Sequence, residues 1–202
     1  MQEPNIPGAP AEVSTEQALR KVSRSLLEWV ELFVLALAVA LLLLTFVVRH
    51  SPVYGDSMYP TLAEGDVVLV SNLFYTPARG DIVIVQSGGY GYTKPLVKRV
   101  IAVGGDTIDI NSDTWEVRVN GELIDEPYLV KKSGSMTTYS MEHLTFPYTI
   151  PEGALFVMGD NRTVSADSRY ATIGLIDTRY VIGRVWLRIA ADPTEPKLTL
   201  NP

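Results

Sequence analysis

The chain has no cysteine among its 202 residues, which excludes a disulfide framework, a thiolate nucleophile and a cysteine metal site. Histidine is nearly absent too, with only His50 and His143. A serine hydrolase that uses imidazole as its base needs one of these beside a nucleophilic serine, with a third group to hold the ring. Neither stands near a serine motif with a recognisable nucleophile elbow, and both read as interfacial or surface residues. The HExxH spacing of a zinc peptidase is missing, so neither a metal nor an organic cofactor is implied. Basic residues are scarce: 17 Lys and Arg stand against 23 Asp and Glu, for a net charge of −6. No basic patch is visible, and a nucleic-acid partner is excluded, because phosphate binding needs a basic face.

Hydrophobic residues are abundant, at 47%, and unevenly placed. From Leu32 to Val48 the chain reads LFVLALAVALLLLTFVV without a charge, proline or glycine. As a helix this run covers roughly 25 Å, and Trp29 and Val30 bring it near the ~30 Å of a bilayer's hydrocarbon core. A cleaved secretory signal ends at a small-x-small site. The only such spacing, Ala36 to Ala40, lies inside the run, and Arg49-His50-Ser51-Pro52-Val53 after it is a poor cleavage site. A helix buried in a protein core has no need to be apolar on every face. A retained transmembrane anchor over 28–49 is therefore expected. Arg20, Lys21 and Arg24 precede it and only Arg49 follows closely, which predicts a cytoplasmic tail (1–27) and an extracytoplasmic body. Within the tail, MQEPNIPGAPAEVS is polar and proline-bearing, and TEQALRKVSRSLLEWV reads as a helix leading into the membrane.

Beyond residue 50 the pattern changes to short apolar runs, VVLV (67–70), IVIV (82–85), VKRVIAV (97–103), WEVRV (115–119) and LFVMG (155–159), separated by turn signals and read as strands. Asn120-Gly121 is a strong hairpin signal. The predicted fold class is mainly β: antiparallel coiled or barrel-like sheets, in which many short strands need their edges managed, with one N-terminal transmembrane helix. The main β body is expected over 50–105 and 150–191. An inserted β subdomain over 106–149 would carry a mobile arm at 131–143, and 192–202 would be a loose tail.

Three segments could carry chemistry. The first, Tyr54-Gly55-Asp56-Ser57-Met58-Tyr59-Pro60-Thr61-Leu62, follows the anchor closely and tethers Ser57 near the membrane surface; read blandly, it is a turn and packing. The second, Lys98-Arg99-Val100-Ile101-Ala102-Val103-Gly104-Gly105-Asp106, embeds a lysine in an apolar strand, where alternation places Lys98, Val100 and Ala102 on one face. A buried lysine is costly unless it loses its charge, and lowering its pKa from about 10.4 to near 7 corresponds to roughly 4 to 5 kcal/mol. A neutral amine can accept a proton from a serine hydroxyl. The bland alternative is a lysine that snorkels from a strand edge. The third, Gly159-Asp160-Asn161-Arg162-Thr163-Val164-Ser165-Ala166-Asp167-Ser168-Arg169, concentrates polar groups that need partners if buried, or forms a solvated loop. Tyr54, Tyr59 and the Gly-Tyr loop at 88–92 could touch lipid headgroups or be ordinary aromatics.

Taken in order, an anchor, GDSMYPTL, KRVIAVGGD and GDNRTVSADSR resemble the type I signal peptidases, in the single-anchor form found in Gram-positive bacteria, over roughly residues 28 to 190. The resemblance implies a membrane-bound serine endopeptidase with Ser57 as nucleophile and Lys98 as general base. It further implies that Ser165 orients the Lys98 amine, that Asp160 pairs with Arg99, and that Asp167 and Arg169 form a supporting ionic network. Gly55, Asp56, Met58 and Pro60 would shape the oxyanion and substrate region. Some members of the family carry a serine at the position of Gly55, whose hydroxyl is an oxyanion donor, and such a donor can be worth about 2.7 to 4 kcal/mol. Here the oxyanion hole would rest on the Ser57 N–H and a water or another backbone group. The implied partners are the lipid bilayer and secretory preproteins, cut after a small-x-small sequence at the outer face of the cytoplasmic membrane. The rival readings are a soluble Ser/Lys peptidase of the self-cleaving repressor type, which the anchor opposes, a carboxylate-pair hydrolase built on Asp160 and Asp167, which lacks the spacing and stacking aromatics, and a non-catalytic membrane-anchored β-domain that binds secreted proteins.

Overall fold

The computed structural model describes residues 15–47, 49–86, 94–129, 144–195 and 198–200, so the 131–143 arm, His143 and the Gly-Tyr loop at 88–92 lie outside the described residues. The chain divides into two compact units, Met1–Phe46 and Val47–Pro202. The first is built on one continuous helix, α1 (Thr15–Val47), about 50 Å long at the usual rise. Its window Arg24–Leu42 has a mean hydropathy of 2.1, and every side chain there is exposed. An apolar surface on all sides suits lipid rather than water. Arg24 and Glu28 pair one turn apart, at 3.5 Å.

Among the described residues of the second unit are twelve strands: β1 (Arg49–Pro52), β2 (Val67–Ser71), β3 (Ile82–Val85), β4 (Leu96–Val103), β5 (Thr107–Asn111), β6 (Glu116–Val119), β7 (Glu122–Leu123), β8 (Tyr148–Thr149), β9 (Ala154–Met158), β10 (Ile176–Asp177), β11 (Val181–Ile189) and β12 (Leu198–Leu200). The larger sheet has the order β1-β2-β11-β3-β4-β9-β10, antiparallel throughout, with β12 on the far end of β11. Register shifts interrupt β11 twice and β4 once, and such bulges bend and twist the strands that carry them, curling the sheet. All four residues of β3 are buried, which explains the unbroken IVIV; β2 is buried only at alternate positions, the signature of one covered face.

Strands β5 to β8 form a second sheet, β7-β6-β5-β8, but, among the described residues, no core of their own. Ile108, Ile110, Trp115, Val117 and Val119 pack into one cluster with Ile101, Ala102, Phe156 and Met158 of the larger sheet. Between β6 and β7, Asn120 and Gly121 both take positive φ (55° and 81°), as a two-residue hairpin turn requires.

Three expectations need correction. Trp115 is not a strand residue; it sits in the turn before β6 with φ 65°, its ring filling the core. Lys98, Val100 and Ala102 do not share a face throughout, because the bulge between Val100 and Ala102 leaves Val100 packed with Val83 and Val85 and moves Ala102 to the Ile101 cluster. Nor is 192–202 simply loose: Leu198–Leu200 pairs with β11. The chain leading to β12 is tied down by Arg188, which bonds Glu195 and, at 2.6 Å, Asp66, while Asp66 also accepts from Ala191 N at 2.9 Å.

Candidate active site

Ser57 stands on a loop that closes on itself. Val53 N donates to Asp66 O, and Gly65 N donates back to Val53 O, so residues 53 to 66 leave and re-enter the sheet at one point. The Asp66 carboxylate accepts from Ala63 N at 2.8 Å and from Arg188. Burial alone would raise its pKa, but these donors and the guanidinium charge hold it below the ordinary carboxylate value. Inside the loop Met58 and Leu62 are buried among Val53, Val68, Val70, Ile82 and Ile84. Met58 is thus a packing residue whose burial fixes the neighbouring Ser57. Gly55, at φ 73°, turns the chain into the motif, Asp56 is exposed, and the Tyr59–Pro60 peptide is cis. Of the two tyrosines, Tyr54 is the more exposed.

Lys98 lies on β4 opposite Val83 and is only 2% exposed, which rules out the snorkelling alternative. Its amine donates to Ser57 Oγ at 2.7 Å. Desolvation by burial pushes the Lys98 pKa down to about 8, assisted by the charge of Arg169 and opposed by Asp167 and Asp160. At that pKa a sizeable fraction is neutral near physiological pH, and the same short separation then serves proton transfer from hydroxyl to amine.

The third segment folds back under this pair. Ser168 N donates to Val157 O and Val157 N to Ser168 Oγ, returning the loop to β9. Asn161 N donates to Ser57 O at 3.0 Å, and Thr61 Oγ1 donates to Asp160 Oδ2 at 2.5 Å. Gly159 lies so close that a methyl group on it would stand 2.3 Å from Ser57 O and 2.2 Å from Ser165 Oγ; only glycine fits there.

Three buried arginines meet three carboxylates. Arg99 binds Asp160 through Nε and Nη2, at 2.9 and 2.7 Å. Arg169 binds Asp167 through the same two atoms, both at 2.8 Å. Asp167 also accepts from Gly159 N at 3.0 Å, and although complete burial favours its neutral form, Arg169 and this amide hold its pKa below the usual value. Arg162 is paired with Glu126. The expected bond from Ser165 to the Lys98 amine is not formed. Ser165 Oγ is fully buried and closes no hydrogen bond; it lies close against Gly159.

Ser57, Lys98, Asp160, Arg99, Asp167 and Arg169 are thus brought together. Among the described residues no cluster of His, Asp and Glu could hold a metal, and His50 lies exposed on β1. A cleft of about 300 Å³ opens at the pair, lined by Ser51 to Tyr54, Lys94 to Val97, and Ser57, Lys98, Met58 and Ile84. Sequence reasoning assigned no role to Arg162 or Thr61, although both stand in the quoted motifs. It missed Glu126 and Tyr128, which follow an ordinary hairpin and carry no local signal.

Residues 26–190 match the model of a family described as signal peptidase, peptidase S26. The chain is 37% identical over 164 residues to signal peptidase I S of Bacillus subtilis (strain 168), covering 79% of this chain and 86% of that protein. It is 38% identical over 172 residues to signal peptidase I of Bacillus licheniformis, covering 84% and 91%. A crystal structure of a signal peptidase I from Enterococcus faecalis V583 shares 33% identity, with a TM-score of 0.45, over 55% of this chain and 97% of that one.

Proposed function

The chain belongs to the S26 family of signal peptidases, membrane-associated serine peptidases, and from that premise we propose that Ser57 and Lys98 form its catalytic dyad and that secretory preproteins are its substrates. The observation that carries the assignment is the 2.7 Å contact between Lys98 Nζ and Ser57 Oγ in a buried setting. In the first step neutral Lys98 takes the Ser57 proton as Oγ adds to the scissile carbonyl carbon. The resulting oxyanion faces the Ser57 N–H, the donor we assign in the absence of a side-chain donor at Gly55. The lysine then returns the proton to the departing amine, leaving an acyl-enzyme. A water deprotonated by Lys98 hydrolyses the ester and restores both groups.

The remaining residues position this pair. Asp160 with Arg99 and Asp167 with Arg169 fix the loop against which Ser57 rests, and the Arg169 charge offsets part of the pull of the two carboxylates toward a protonated Lys98. Ser165 supports Gly159 beneath the Ser57 carbonyl. The cleft lined by residues 51–54 and 94–97 suits an extended peptide with small side chains, in keeping with cleavage after a small-x-small sequence. The anchor places this cleft on a molecule held in the same bilayer as a signal peptide, raising their effective concentration; the excess of basic residues before α1 supports an extracytoplasmic body.

The test is cleavage of a preprotein with an Ala-x-Ala site by detergent-solubilised wild type, Ser57→Ala and Lys98→Met, from roughly pH 6 to 10. Wild type alone should cut, with activity rising through about pH 8 as one base titrates. Full activity in Lys98→Met, or binding without cleavage by wild type, would give way to the reading of a non-catalytic binding domain.

A further inference from the structure

We propose that Glu126 and Tyr128, on the turn that follows β7, are positioning residues for the dyad, forming a clasp that holds Arg99 and Arg162 in place from outside the motif loop. The inference rests on the Ser57/Lys98 reading. It starts from a mismatch of charge around the site: three buried arginines, Arg99 of the second motif and Arg162 and Arg169 of the third, surround it, and the third motif supplies only two carboxylates. Asp160 is taken by Arg99 and Asp167 by Arg169. Arg162, fully buried, finds its carboxylate in Glu126, 36 positions away in the chain. A buried cation without a partner is strongly destabilising, so without Glu126 the Arg162 guanidinium must compete for Asp160 or Asp167, the two acids whose charge bears on Lys98.

The local geometry is that of a clasp. Leu129 N donates to Glu126 O at 3.1 Å, closing a turn with Pro127 at its second position, where proline's fixed φ is favoured. This turn directs Glu126 and Tyr128 to the same place, and Tyr128 OH donates to Glu126 Oε1 at 2.8 Å. The Tyr128 ring lies 4.0 Å from the Arg99 guanidinium carbon, a cation–π contact on the residue next to Lys98. Glu126 receives both terminal nitrogens of Arg162. Arg162 Nε in turn donates to Gly159 O at 3.0 Å, and Arg162 O accepts from Arg169 at 3.0 Å. Gly159 is the residue packed directly against Ser57 O. Continuous contacts therefore lead from the turn after β7 to both members of the dyad, one branch through Arg99 and one through Arg162.

The charged groups facing Lys98 are Asp167, Asp160 and Arg169, with Arg99 paired to Asp160 beside it. Neutralising Glu126 leaves Arg162 to add net positive charge to this set, which favours the neutral amine. The expected signature of Glu126→Gln is therefore a lower kcat combined with an acid limb displaced toward lower pH, a pair of effects that loss of fold alone does not produce.

The experiment compares full-length wild type, Glu126→Gln, Tyr128→Leu and Tyr128→Phe in detergent on the same preprotein, with Ser57→Ala and Lys98→Met alongside. Glu126→Gln and Tyr128→Leu should lose about tenfold in kcat, with KM within about twofold. The acid limb of Glu126→Gln should move down by about 0.3 pH unit, while Tyr128→Phe, which keeps the ring, stays within about twofold of wild type. Wild-type kcat in both Glu126→Gln and Tyr128→Leu, or equal loss in Tyr128→Phe and Tyr128→Leu, overturns the clasp. If Glu126→Gln does not fold, Tyr128→Leu against Tyr128→Phe decides alone, since neither removes the Glu126–Arg162 ion pair. Activity retained in Lys98→Met sinks the dyad reading itself; inactivity there with normal clasp variants sinks only this inference.

Discussion

Lys98 carries a cost that no other residue of the dyad shares. Its pKa in the folded chain is about 8 against 10.5 for the free side chain, so the folded state binds fewer protons than the unfolded state between those values. The penalty of burying the charge is therefore complete below about pH 8, falls as the pH rises above it, and disappears near 10.5; at about 1.4 kcal/mol per unit it is on the order of 3 kcal/mol. Lys98→Met, similar in length and without charge, should melt at a higher temperature than wild type at pH 7. Thermal unfolding across the pH range should show this gap closing toward pH 10.5, and a methionine variant less stable than wild type at pH 7 would contradict it. Lys98 was legible in the sequence because a lysine amid Val, Ile and Ala breaks the strand's apolar pattern. Glu126 and Tyr128 were not, since their significance lies in arginines far along the chain.

The elements that place these residues are short, and their irregularities matter more than their lengths. The bulge in β4 between Val100 and Ala102 follows directly on the Lys98-Arg99 pair. Alternation cannot foresee it, because a bulge depends on what the neighbouring strand requires. The hairpin at Asn120-Gly121 is the opposite case, where two residues fix the local backbone. The approach of the Gly159 loop to the Ser57 loop gives a sharp test: a side chain on Gly159 must displace the Ser57 carbonyl or Ser165. Gly159→Ala should destabilise the chain by about 1–3 kcal/mol, as overpacking does. It should also reduce preprotein cleavage below the loss explained by unfolding, because the displaced atom belongs to the nucleophile's own residue. Urea unfolding and turnover measured on the same preparation separate the two effects, and normal turnover in a folded variant would show that the loops tolerate separation.

For the whole molecule, the lack of cysteine is an experimental advantage. Single cysteines introduced at Ser14 and Tyr180 have no background, and Tyr180 is 48% exposed. If the basic residues before α1 stay inside, an impermeant maleimide should label Tyr180→Cys in intact cells and reach Ser14→Cys only after the membrane is opened; the reverse pattern would invert the orientation. The anchor, the predominance of short antiparallel strands and the three motifs could be read from the chain itself, because each rests on local properties: continuous apolarity, period-two patterning, and residue types that need partners when buried. Tertiary structure decided the rest. It chose a buried over an exposed Lys98, left Ser165 without a bond to the amine, drew Leu198–Leu200 onto β11, merged the smaller sheet into the core of the larger, and brought Glu126 to Arg162. The reason is common to all of these: burial and charge pairing depend on which distant segments meet, and that is fixed only when the sheets curl together.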